Sequence, residues 1–361
     1  MLSVNNGSHG DTGIIMTAAF RKTDTDQDGF YHFYDVDTAL LPASATDFIT
    51  QLPGPSVLHI KGKEKKGKET PCRVITSLLH GDNSNSLRTL LATMIHGGEP
   101  ATDMKIVIIS VEAAKLIPQF SHPYLPGQRD LNRCFRDPFI CQPGHPANTL
   151  LNQIEKWQPG ALVDIHDSCV LTETFAISAT ENRDTCALTS FFSGNLLWSP
   201  LKTGAITDLS ADYPLISVYA PAEYTGLQRS QLYKGLMHFW HTESIHPRQL
   251  LNVLQQPRRL ELRRSAALTY SDKPVFGVNC TLRQDISGLS FTQVNPGDVL
   301  GWVDHHKLSH FRIAGRSPRE AVSTWFCADD HCLTVTMPMM LIVVNRLAET
   351  AKSDCLFYFQ V

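Results

Sequence analysis

Short apolar runs rich in β-branched residues alternate with stretches of helical spacing over the first two thirds of the chain, the pattern of an α/β sheet covered on both faces. The runs predict strands at 56–60, 73–79, 105–110, 161–165 and 215–219, most of them too short for helices and bounded by turn residues. Helical spacing predicts helices over 86–95, 148–157 and 228–242. After Pro257 the texture changes: strand-like segments at 267–270, 274–279, 289–292, 334–339, 340–344 and 355–359 are separated by Gly, Pro, Asp and Asn. The expected architecture is a mixed central sheet flanked by helices with a smaller C-terminal β-rich domain. The boundaries are a segment at 1–50 packing on the main domain, an α/β domain at 51–256 and a β-rich domain at 257–361.

Length agrees with this division, since 361 residues exceed what one hydrophobic core usually organises. A formal net charge of -3 gives no electrostatic ground for nucleic acid or an anionic membrane, and no apolar run reaches the roughly 18 residues of a membrane helix. Nor does the N-terminal stretch read as a signal peptide. Nine cysteines without paired CxxC spacing suggest reduced thiols and a cytoplasmic location. The lysine-rich run 61–68, between the first two predicted strands, is expected to be an exposed hairpin loop, a solvated turn rather than a functional basic patch.

Candidate chemistry starts where the second predicted strand delivers Leu79-His80-Gly81-Asp82-Asn83 into a turn. α/β folds place their sites at strand ends, and a histidine followed closely by oxygen donors can share a cation with them. A second cluster is Arg129-Asp130-Leu131-Asn132-Arg133 in a loop rich in proline and glycine, where neighbouring amide and guanidinium forks suit a carboxylate and a carbonyl oxygen. The third is Asp164-Ile165-His166, whose spacing of two puts carboxylate and imidazole on one face of a strand.

Together, HGDN at 80–83, DLNRCF at 130–135 and DIH at 164–166 resemble the succinylglutamate desuccinylase and aspartoacylase family of the zinc-carboxypeptidase-like fold. That family carries HGNE, DLNRxF and DxH in this order, then a downstream glutamate base. The resemblance covers roughly residues 50–245, and the β-rich tail is similar to the extra domain the group often carries. It implies a metal-dependent hydrolase of an amide bond, with one zinc ion held by His80 and His166, Arg133 polarising the scissile carbonyl, and Asn132, with Arg129 and Arg133, holding the substrate's carboxylate.

Two positions depart from the family's pattern. Asn83 stands where the family has a glutamate ligand, leaving three arrangements open: metal on His80, Asp82 and His166; metal with the Asn83 oxygen; or no metal. Tyr219 stands where the base glutamate aligns most simply, so the general base is expected at Glu223, four residues on, with Glu173 and Glu181 poorer candidates. A catalytically impaired relative that binds a carboxylate ligand is the alternative function. The acidic run Asp24, Asp26, Asp28 with Asp35 fits a calcium-loop spacing but closes on aspartate rather than glutamate, and a solvated turn is expected there. The expected partner is a carboxylate-bearing small molecule or peptide, and a homo-oligomer stays open.

Overall fold

The structure, a computed structural model, describes residues 19–25, 29–64, 70–136, 145–168, 173–209, 211–221, 226, 230–314 and 321–361. It is mixed α/β, with a large central sheet, flanking helices and additional β sheets, and a strand lies at each of the five positions predicted in the first two thirds of the chain. Two compact units divide it. One comprises the chain up to Asp164 together with Leu236–Ser244, the other Ile165–Gly235 and Ile245–Val361.

In the first unit, β1 (Phe20–Thr25), β2 (Tyr31–Val36), β3 (Ser56–Ile60), β4 (Arg73–Ser77), β5 (Met104–Ile108) and the start of β6 (Ala161–Ser168) follow the order β1-β2-β3-β5-β4-β6. The pairs β2/β3, β4/β5 and β4/β6 are parallel, whereas β1/β2 and β3/β5 are antiparallel. The connection over 61–68 is therefore not a hairpin, because β5 lies between β3 and β4. Its described part is held instead by Asp103, which accepts from the Lys61 ammonium and from the Gly62 N–H, each at 2.9 Å.

Burial explains why these segments are strands: every residue of β4 is buried, as a strand in the middle of a covered sheet must be. Its first residue, Arg73, donates to the carbonyls of Phe239 and Glu243 and lies 4.8 Å over the Phe239 ring. The unit's helices are α1 (Ala45–Gln51), α2 (Ser84–His96), α3 (Val111–Lys115) and α4 (Pro146–Trp157). Leu87, Leu90, Leu91 and Met94 repeat at helical spacing along α2 and are fully buried. Proline opens α4, the His145 ring accepts from the Ala147 N–H at 3.2 Å, and left-handed Gln158 ends the helix.

The second unit carries β7 (Phe175–Ser178), β8 (Asn195–Trp198), β9 (Leu215–Pro221) and β10 (Asn252–Gln255), in the order β9-β7-β8-β10. The helices in this stretch are α5 (Arg183–Phe192) and α6 (Gln231–His241), the latter continuing from Leu236 into the first unit. Beyond them lie β11 (Arg258–Leu262), β12 (Leu268–Tyr270), β13 (Cys280–Leu282), β14 (Thr292–Val294) and β15 (Gly301–Val303). The remaining strands are β16 (Phe311–Ala314), β17 (Phe326–Asp329), β18 (Cys332–Val335), β19 (Met339–Val344) and β20 (Phe357–Gln360), with α7 (Ala348–Ser353) before the last. They form two five-stranded sheets, β14-β19-β20-β11-β16 and β12-β13-β15-β18-β17, around a core that includes Leu260, Leu282, Leu300, Leu333 and Phe357.

Three predicted strands of this region are displaced. The 274–279 segment is a turn, since Pro274 cannot donate to a ladder and Gly277 takes φ 79°. Residues 289–292 straddle the end of a 3-10 helix and the start of β14, with Phe291 at φ 58° between them. The run 334–339 is cut at Pro338 into the end of β18 and the start of β19.

Candidate active site

Beyond β4 the chain leaves the sheet through Leu78, which takes φ 54°. Ser110 straps this exit: its N–H donates to the Leu78 carbonyl at 2.8 Å and its hydroxyl to the Leu79 carbonyl at 3.0 Å. His80 follows at the strand end, where the sequence placed it. Gly81 is required by close approach, because a Cβ there would stand 2.7 Å from the His122 carbonyl oxygen and 2.8 Å from both the Ala113 Cβ and the Ala114 nitrogen. Its N–H donates to the Pro123 carbonyl at 2.8 Å, fixing the turn against the following loop. Asn83 is the N-cap residue of α2 and is buried, but its side chain makes no capping bond to that helix. Asp82 beside it is exposed.

The DLNR segment forms a single 3-10 turn, Leu131–Arg133, capped by Asp130. Asp130 Oδ1 accepts from the Asn132 N–H at 2.8 Å and from His80 Nε2, also at 2.8 Å. Burial alone would push the Asp130 carboxyl upward, but His80, Arg133 and the Asn132 N–H together hold it well below the usual carboxylate range. At His80, burial opposes charge on the ring, yet Asp130 outweighs it and the imidazole lies above its ordinary value. Asn132 is buried, Arg133 half-buried with its guanidinium donating to the Asn132 carbonyl at 2.7 Å, and Arg129 exposed. The orienting role of Asp130 was missed in the sequence, although the aspartate that opens the DLNR motif was the signal for it. Asp164, read from spacing as a neighbour of His166, accepts from the Thr76 hydroxyl of β4 at 2.7 Å.

In the second unit, His166 is buried on β6 with its ring stacked on Tyr219 of β9, centroids 4.7 Å apart and planes 10° from parallel. Tyr219 stacks in turn on Phe175 of β7 at 5.1 Å and 4°. The side chain at position 219 therefore lies directly over the His166 ring. Glu223 lies outside the described residues, as do Asp26 and Asp28 of the acidic run. Asp24 sits in β1, opposite His32 of the antiparallel β2, so strands and not helices flank that run. Glu173 accepts from the Asn195 amide at 2.7 Å, and Glu181 from the Gln255 amide at 3.4 Å.

The setting of His80 is that of a metal-bound histidine. Metal-bound histidines characteristically give their other ring nitrogen to a carboxylate, and with Nε2 on Asp130 the nitrogen His80 would turn toward a cation is Nδ1. An oxygen from position 83 would be a neutral amide's, so a set that included it would carry less negative charge than one with a carboxylate there.

Taken together, these elements define the succinylglutamate desuccinylase/aspartoacylase fold. A structure assigned to that group from Shewanella frigidimarina superposes with a TM-score of 0.51, covering 84% of this chain and 92% of that one at 10% identity. Murine aminoacylase 3 (TM-score 0.49, 13% identity, 81% and 96% covered) and the succinylglutamate desuccinylase of Chromobacterium violaceum (0.48, 13%, 72% and 89%) are also similar. No protein-family model and no curated protein sequence matches the chain. Similarity at this level concerns the fold; the chemistry rests on the side chains.

Proposed function

We propose that the chain is a metal-dependent hydrolase of an amide bond in a carboxylate-bearing small molecule or peptide, with zinc as its ion. The observation that carries this reading is the His80–Asp130 bond, a carboxylate fixing the orientation of an imidazole at a strand end. Zinc, when bound, lowers the pKa of a water and polarises a carbonyl. In this reading His80 and His166 hold the ion, with Asn83 or Asp82 adding an oxygen. Arg133 stabilises charge developing on the carbonyl oxygen, Asn132 and Arg129 hold the substrate's carboxylate, and Glu223 takes the water's proton and returns it to the leaving amine.

A second reading, a catalytically impaired relative that keeps the pocket to bind a carboxylate ligand, is favoured by a different observation. Tyr219, which has no carboxylate to offer, covers the His166 ring at the position where the resembled motif has its base. Metal analysis of the purified protein, paired with hydrolysis of N-acyl amino acids, separates the two. One equivalent of zinc that is lost on His80→Ala, together with turnover, supports the hydrolase. Folded protein whose metal content is unchanged by His80→Ala, that turns over nothing and still binds an N-acyl amino acid, supports the binder.

A further inference from the structure

The connection between β15 and β16 carries Asp304, His305 and His306, followed by a 3-10 turn at Lys307–His310. Their ligand atoms, one carboxylate oxygen and two imidazole nitrogens, all lie within 4.8 Å of one another. We propose that these three residues bind a divalent transition-metal ion of the zinc, nickel or copper class.

The carboxylate is built in rather than loose. Asp304 is half-buried, its N–H donates to the Asn279 carbonyl at 3.1 Å, and its Oδ2 accepts from the Asn279 amide at 2.7 Å. Its Oδ1 accepts from the His306 N–H at 2.9 Å, and His310 Nε2 stands 3.3 Å from Oδ2.

Against this fixed anion stand two exposed imidazoles, the His305 and His306 rings, with centroids 3.8 Å apart. A tetrahedral ion with bonds near 2.1 Å needs its ligand atoms about 3.4 Å apart, and exposed side chains reach that by small rotations. Two nitrogen donors and one oxygen select a borderline transition metal over calcium or magnesium, which take oxygen. Three protein ligands leave a position for water. His310, whose ring meets His306 edge-on at 5.3 Å, is a positioning residue for Asp304 rather than a ligand.

The site is independent of His80, and the test uses that. Full-length chain stripped with chelator is titrated with zinc and with nickel by calorimetry, as His80→Ala and as His80→Ala carrying also His305→Ala and His306→Ala. His80→Ala is expected to retain one metal site per chain, and the added pair of substitutions to weaken it by at least about tenfold with the circular dichroism unchanged. Should the alanine pair perturb folding, His305→Gln with His306→Gln is read in its place. Affinity equal within twofold with and without the pair, or no binding to His80→Ala, overturns the proposal.

Discussion

His80 Nε2 and Asp130 Oδ1 stand 2.8 Å apart across fifty residues of sequence, joining the end of β4 to the capped turn of the DLNR loop. Asp130→Asn keeps the size of the acceptor and removes its charge. Outer carboxylates of this kind typically contribute about 10–100-fold to metal affinity, so Asp130→Asn is expected to weaken zinc by that order in competition with a chromophoric chelator. Unchanged affinity would show that Asp130 serves only to tie the loop down.

Gly81→Ala tests the packing behind His80. The new methyl meets backbone atoms at 2.7 and 2.8 Å, which no side-chain rotation can relieve. Overpacking of this kind costs about 1–3 kcal/mol, read as a lower urea midpoint at unchanged m. A variant as stable as the parent would mean that the 80–83 turn is far looser than its strapping by Ser110 and Pro123 implies.

Apolar runs bounded by turns mark strands clearly, so the placement of the two histidines in the sheet could be read in part: His80 follows β4 as expected, whereas β6 runs on through Ser168 and holds His166 within it rather than at its end. What could not be read is pairing at long range. Nothing local to Asp130 says that its carboxylate reaches His80, and nothing local to Tyr219 says that its ring covers His166. The 61–68 loop failed for the same reason, since its own residues fit a hairpin and only the insertion of β5 excludes one. In the β-rich region two of the three misplaced strands came from reading through Pro274 and Pro338, residues that break a ladder whatever the hydrophobicity beside them, and the third from a 3-10 helix ending at Leu289 with left-handed Phe291 after it.

His59 predicts an acid sensitivity unconnected with the candidate site. The Lys105 ammonium can only donate, so His59 Nδ1 accepts from it at 2.7 Å, and its Nε2–H donates to His32 Nδ1 at 2.9 Å. Burial, with help from Lys105 and His32, pushes the His59 ring down to about 3. Between about pH 3 and 6.5 the unfolded chain then binds a proton that the folded chain does not, so this contribution is complete above the unfolded value and is lost as pH falls. Urea unfolding at pH 4, 5 and 7 should show a shallower pH dependence for His59→Gln, by close to about one proton. Parallel curves for parent and variant would exclude a half-buried ring held neutral.

The β-rich region is pinned by a buried cation. Arg259 donates to the Asp354 carboxylate at 2.5 Å and to its carbonyl at 2.9 Å, lies 3.5 Å from Glu261, and packs over the Tyr358 ring. Removing it leaves the half-buried Asp354 carboxylate without this cation, and Arg259→Ala is expected to cost about 3–5 kcal/mol in urea unfolding. Arg312 also binds Glu261 at 2.5 Å but is largely exposed, so Arg312→Ala should cost less than about 1 kcal/mol. Equal losses at the two arginines would overturn this assignment of weight.

Two neutral residues stand where the resembled motif has carboxylates, and they make the sharpest comparison. Asn83 is buried at the head of α2, and a carboxylate there gains from the helix dipole as well as from any cation it faces. Asn83→Glu is therefore expected to raise zinc affinity by at least about tenfold while leaving the fold intact. Tyr219 lies over the His166 ring, so Tyr219→Glu puts a carboxylate beside that imidazole in place of an aromatic face. If the chain is a hydrolase with Glu223 as its base, Asn83→Glu alone should raise turnover of N-acyl amino acids, and Tyr219→Glu should add little. If it is an impaired relative, neither substitution alone should yield turnover, and the double variant should be the first to show any. No gain in zinc affinity from Asn83→Glu would remove position 83 from the metal site under either reading.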